Sequence, residues 1–146
     1  MNKPKLMSAC LLGVKCRWDA KYKPCERAIK LFKEGNVIPV CPEQLGGLPT
    51  PRIPQEVQKD GRVLNKKGRD VTEEFRKGAE ETLKIAKLVG AKEFIGKSKS
   101  PSCGFGKTYD GTFSDKLIDG NGTTADLLSK NGIKVRTEKD LWGVDR

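Results

Sequence analysis

The chain has 146 residues, 36% hydrophobic and 33% charged, with 29 Lys/Arg against 19 Asp/Glu, a net charge of +10 and no histidine. That length suits one domain, residues 1–146, with a core of its own. No apolar run is long enough to span a membrane and no signal-peptide stretch opens the chain, so a cytoplasmic protein is expected. The missing histidine excludes Ser-His-Asp and Cys-His catalytic pairs and every His-ligated metal site, which leaves acid–base chemistry to Glu, Asp, Lys, Tyr, Cys or water.

In chain order, Lys5 to Ala9 reads as a first strand that ends at Cys10. After a loop containing Gly13, Cys16 and Trp18, Pro24 opens a helix whose apolar face carries Cys25, Ala28, Ile29 and Phe32. Gly35 and Asn36 stop it. Val37 to Val40 is a second strand, ending at Cys41. Residues 42–54 hold four prolines and two glycines, which predicts an ordered loop rather than an element. Val63-Leu64 and Val71 flank a turn at 65–68. Asp70 and Glu73 mark a helix start, and Phe75, Ala79, Thr82, Leu83, Ala86 and Val89 form an amphipathic stripe closed by Gly90. Phe94-Ile95 is a third strand, and the loop after it contains Cys103. Thr123 and Asp126 are expected to cap a helix through Leu127 and Leu128, stopped at Asn131-Gly132, and Ile133 to Arg136 is the last strand. Strands alternating with helices predict an α/β fold, a mainly parallel sheet covered on both faces. Ligands bind such sheets outside the carboxyl ends of the strands. Cys10, Cys41 and Cys103 each follow a predicted strand, so three distant cysteines are expected to converge at one end of the sheet.

Five cysteines cannot all pair as disulfides, and a reducing compartment favours packing, metal binding or catalysis. The absence of any Cys-x-x-Cys argues against a zinc ribbon and a thioredoxin-like pair. A thiolate cage from three separate loops suits an iron–sulfur cluster. Cys25 reads as a packed residue on its helix face. Cys16 stays open between fourth ligand, spare thiol and packed residue. The positive charge is uneven: residues 1–35 carry nine Lys/Arg against three acids and residues 52–69 six against two, whereas residues 111–146 carry six of each. Either an anionic ligand, a phosphate or nucleic acid, or ordinary lysine-rich solubility accounts for it.

The stretches Ser8-x-Cys10-Leu11-x-Gly13, Arg17-Trp18-Asp19, Cys41-Pro42-Glu43-x-x-Gly46-Gly47-x-x-x-Pro51-Arg52-x-Pro54, Asp70-Val71-Thr72, Ser100-Pro101-Ser102-Cys103-Gly104 and Gly111-Thr112-Phe113-Ser114 resemble the TudS-type thiouracil desulfidases, from Ser8 to about Val135. The resemblance implies a Rossmann-like domain and a [4Fe-4S] cluster on three cysteines, which match Cys10, Cys41 and Cys103. It also implies non-redox removal of sulfur from thiolated pyrimidines, 4-thiouracil or 4-thiouridine nucleotides. The residues leave free base, nucleoside, mononucleotide and thiolated tRNA open as the form of the substrate. Ala20-Lys21 departs from the pattern, where many relatives have a glycine.

Three protein ligands would leave one iron open as a Lewis acid. With no histidine, Glu43 is expected as the base that activates water, two residues from Cys41; its alternative role is capping a backbone N–H. Ser100 and Ser102 are expected to bond the ring or pass a proton, or else to fix the loop presenting Cys103. Lys97 and Arg52 are candidates for an anionic part of the substrate, and Gly46-Gly47 for close approach of backbone to a flat ring. Two competing readings are a basic zinc–cysteine module that binds RNA and a closed four-cysteine cluster, with Cys16 as fourth ligand, that carries electrons. The low aromatic content, 6%, gives few stacking platforms for single strands.

Overall fold

The computed structural model describes residues 3–141. The ends of the expected domain span, residues 1–2 and 142–146, lie outside the described residues.

Strand β1 (Lys5–Ser8) runs into a one-turn 3-10 helix at Ala9–Leu12, which carries Cys10. Helix α1 (Glu26–Lys33) leads to β2 (Val37–Val40), and Cys41 is the N-cap of a four-residue helix, α2 (Pro42–Leu45). A hairpin of β3 (Gln55–Val57) and β4 (Val63–Asn65) precedes the long helix α3 (Thr72–Val89). Then come β5 (Glu93–Gly96), a second hairpin of β6 (Lys107–Tyr109) and β7 (Leu117–Asp119), α4 (Thr123–Lys130), β8 (Lys134–Thr137) and a closing 3-10 turn at Glu138–Leu141. The main sheet has the order β2-β1-β5-β8 with every pair parallel.

The central strands are buried on both sides, which their continuous apolar runs require. Leu6 and Phe94 face one layer with Ala86, Ala125 and Leu128 of α3 and α4. Met7 and Ile95, one residue on, face the other with Ala28 of α1 and Leu141. All four strand residues are 0% exposed. This is the expected α/β, Rossmann-like arrangement with helices on both faces. Pro39 is tolerated because β2 is an edge strand, where a missing N–H breaks no second ladder.

Several local expectations change. The apolar side of α1 is Ala28 with Leu31, while Phe32 is 40% exposed and Cys25 is the N-cap, half-buried against that same core. The proline-rich stretch 42–54 is not entirely loop, because Pro42 at the first helical position starts α2. The hairpin strands were not legible, being three residues long, and all of β7 is exposed, so no period forms. Helix α4 has no side-chain cap. Its free N–H groups are met by tertiary carbonyls instead: Thr123 N–H donates to Pro101 O (2.9 Å), and Thr124 and Ala125 N–H donate to Ser102 O (2.9 and 3.1 Å).

α2 is held by backbone-to-backbone approach to α3. A Cβ on Gly46 would lie 1.9 Å from Glu74 O, and one on Gly78 would lie 2.0 Å from Pro42 O. Alanine is the better helix former by about 1 kcal/mol, but there is no space for its methyl here. Gly78→Ala is therefore expected to destabilise the fold by about 1–3 kcal/mol, read as a lower urea midpoint with unchanged m-value. A midpoint at or above wild type would mean that α2 yields without cost.

Candidate functional site

The chain runs from β1 out to β2 and then returns to the other side of β1 to form β5, so β1 and β5 flank the topological switch point of the sheet. A cleft of about 1200 Å³ opens there, above the carboxyl ends of the strands. All five cysteines line it: Cys10, Cys41, Cys103, Cys16 and also Cys25, which was expected only to pack. Cys10 comes from the turn after β1, Cys41 directly from the end of β2, and Cys103 from the loop after β5. All five cysteines are free.

The Cys103 loop is shaped by local hydrogen bonds. Ser100 Oγ accepts from the N–H groups of Ser102 (3.1 Å) and Cys103 (3.0 Å). Ser102, 1% exposed, bonds Thr124 Oγ1 at 2.8 Å. The loop is thus fastened to the start of α4, and Ser100 reaches the cleft wall whereas Ser102, Gly46 and Gly47 are not among its lining residues. The close approach that needs a glycine at 46 is to α3.

Burial pushes the Cys10 thiol up to about 11, reinforced by Cys41 and opposed by the charges of Lys97 and Arg17. Burial raises Cys103 as well, against a hydrogen bond with Ser8. Cys16 is 3% exposed, and Cys41 Sγ donates to its backbone O at 3.7 Å. Of that pair Cys41 is the acidic member: the neighbouring Cys16 thiol, the Gln44 N–H and Arg52 hold it below the usual thiol range, while Cys16 is raised.

Glu43, on α2, lines the cleft and is bonded by Arg52. Burial pushes the Glu43 carboxyl up, and the Arg52 guanidinium opposes it. Arg52 also donates to Pro49 O, Thr50 Oγ1 and Cys16 O, each at 3.1 Å. The carboxylate that this fork grips is the chain's own Glu43. Lys97 Nζ lies 3.1 Å from Glu138 Oε2, and Glu138, 7% exposed, also accepts from Ser98 N–H (2.7 Å) and Ser98 Oγ (2.8 Å). Sequence reading missed Glu138, Ser98 and Ser8. Glu138 was within reach, since it directly follows the last strand, on the side of the sheet where the cysteines emerge. Among the described residues, nine lysines and arginines line the cleft against five acids. No three His, Cys, Asp or Glu side chains among the described residues are placed to bind one metal ion. No helix among them is long and apolar enough to cross a membrane.

Fold and site together define a class: a Rossmann-like α/β domain with a thiol-rich, basic cleft at the switch point of its sheet. The chain belongs to the 2-thiouracil desulfurase family, which matches residues 6–140. It is 41% identical to an uncharacterized protein, YbbK, of Bacillus subtilis strain 168, over 93% of this chain and 96% of that one. It is also similar to the solved structure of a [4Fe-4S]-dependent thiouracil desulfidase, TudS, with a TM-score of 0.91 and 39% identity over 99% of this chain and 96% of the other.

Proposed function

We propose that residues 1–146 form one desulfidase domain that removes sulfur from thiolated pyrimidines, 4-thiouracil or 4-thiouridine nucleotides, giving the oxo base and sulfide, with a [4Fe-4S] cluster held by Cys10, Cys41 and Cys103. The observation that carries this reading is the meeting of three thiols from three strand ends in one cleft. The donor set fits a cluster. A single zinc needs its ligands gathered at 2.0–2.3 Å around one point, whereas a cluster takes each cysteine on a different iron. Arg17, Lys97 and Arg52 bring positive charge to the thiols, as an anionic cluster requires. When bound, the cluster would supply a Lewis-acidic iron without a protein ligand.

The chain's own residues have these roles. Glu43 accepts the proton of the attacking water, and Arg52 orients its carboxylate. Ser100 fixes the backbone that presents Cys103. Lys97, held by Glu138, presents its ammonium beside Cys10. Anaerobically purified protein should contain about four irons and four sulfides per chain and consume 4-thiouracil, read as loss of its near-ultraviolet absorbance. Zinc in place of iron, or an iron-loaded protein with no turnover, would sink the proposal.

The basic cleft lining supports a phosphorylated substrate, with Lys66 and Lys99 exposed beside it. 4-Thiouridine monophosphate is therefore expected to be turned over with a higher kcat/KM than 4-thiouracil, by up to roughly fivefold for each exposed ion pair formed. The advantage should shrink with salt, since such charges are screened within about 8 Å at physiological ionic strength. Equal efficiency at low salt would assign the charge another purpose. A preference for thiolated tRNA with a steep salt slope would point to RNA.

A further inference from the structure

The motif Gly111-Thr112-Phe113-Ser114 has no part in the chemistry above, yet its backbone is held in an unusual state. Phe113 has φ +57°, in the left-handed region that bulky residues rarely enter. Such strain persists only where the surroundings over-determine it, and it gathers at ligand sites. Here the surroundings do so. Glu56 Oε1, on β3, accepts from the N–H groups of both Gly111 (2.9 Å) and Phe113 (3.1 Å). Gln58 Nε2 donates to Gly111 O at 3.2 Å. Gly111 itself, at φ +94°, approaches Val57 O so closely that a Cβ would lie 3.1 Å away. The turn between β6 and β7 is thus locked onto β3.

The lock serves no core. Phe113 is half-buried and belongs to none of the three hydrophobic clusters among the described residues. It lines the cleft instead, together with Tyr109 and Trp18, the latter 46% exposed. A large apolar ring kept out of the core and held at a cleft wall by a carboxylate clamp is suited to a flat aromatic ligand, which it can cover face to face or edge to face.

We propose that Phe113 is the substrate-binding platform on which the pyrimidine ring of the substrate stacks, and that Glu56 is a positioning residue that holds it there. This rests on the desulfidase reading for the identity of the ring. Stacking on an aromatic side chain binds substrate and product alike, so it lowers KM and leaves kcat nearly untouched.

The test uses cluster-loaded protein and two readouts: steady-state kinetics with 4-thiouracil, and calorimetric binding of uracil, the product ring, which needs no turnover. Phe113→Leu keeps apolar bulk but removes the ring. It is expected to raise KM and weaken uracil binding by about 5- to 100-fold, with iron content and melting temperature unchanged. Phe113→Tyr should recover most of that affinity. Glu56→Ala should reproduce the effect of Phe113→Leu, Glu56→Gln should be milder because its amide oxygen still accepts, and the double variant Glu56→Ala/Phe113→Leu should be no worse than Phe113→Leu alone. Unchanged KM and uracil affinity in Phe113→Leu overturns the proposal, as does a loss confined to kcat, or a wild-type protein that binds neither ring. If uracil binding falls in Phe113→Leu but wild-type protein never desulfurates 4-thiouracil, the platform stands and the desulfidase reading falls.

Discussion

Alanine at Cys10, Cys41 or Cys103 is expected to abolish stable cluster binding and with it all turnover, whereas Cys16→Ala and Cys25→Ala should each keep an intact cluster. Every ligand of a three-cysteine site carries one iron, so a missing thiolate leaves a second iron without protein and the cluster open to loss. The three positions differ in what else they do. Cys103 is 5% exposed and belongs to the main core cluster with Phe94 and Leu128, so Cys103→Ala also removes a buried sulfur and should lower stability by roughly 1 kcal/mol. Cys10 and Cys41 are half-buried, and their loss should leave the fold nearly unaltered. Iron and sulfide content, visible absorbance and far-ultraviolet circular dichroism separate the two effects. Cys16 is the sharper control, because it is buried and its backbone O accepts from Cys41 Sγ. Its removal takes away a thiol beside Cys41 without removing an expected ligand, and that backbone O stays in place. About four irons remaining in Cys10→Ala would defeat the three-ligand proposal, and loss of the cluster in Cys16→Ala would favour the closed four-cysteine site.

The second large effect is expected from Glu43→Gln: a fall in kcat of ~10²–10⁴-fold with the cluster retained and KM changed little. A general base contributes by taking a proton as water attacks, and an amide cannot do so at neutral pH. Burial pushes the Glu43 carboxyl up, which makes it a stronger base than an exposed glutamate. Breaking a buried ion pair by removing one partner usually costs about 3–5 kcal/mol, because the other charge is left unpaired. Here the cost should be smaller, since Arg52 keeps Pro49 O, Thr50 Oγ1 and Cys16 O as acceptors. A urea titration beside the kinetics separates a lost base from a loosened loop. Loss of iron in Glu43→Gln would make Glu43 a structural support of the Cys41 turn. Near-normal kcat with full iron content would place the base elsewhere, and Ser100, on the cleft wall, would be the next residue to change.

The parallel sheet and its principal helices were legible because apolar periodicity is a local property. Within the stripe on α3 and within each of the runs Val37–Val40 and Phe94-Ile95, the residues are close in sequence and need no partner to be seen. Strand ends could be read as well, and in a parallel α/β sheet they share one side, which is why the placement of Cys10, Cys41 and Cys103 in one cleft followed from sequence alone. What each polar side chain contacts was decided only by tertiary structure. Arg52 read as a fork for an anionic part of the substrate because its sequence context does not show that Glu43, Pro49 O, Thr50 Oγ1 and Cys16 O already take its terminal N–H groups. Gly46-Gly47 looked like a place for a flat ring, but the group that approaches Gly46 is the carbonyl of Glu74, 28 positions along the chain. The cap of α4 comes from Pro101 and Ser102 rather than from its own first turn. Glu138 reaches Lys97 and Ser98 across 41 and 40 residues, and Glu56 reaches Phe113 across 57. Hydrogen bonds have a range of about 3 Å and no sequence period. Patterning therefore determines which faces are buried and which strand ends meet, and only the packed chain determines which donor finds which acceptor.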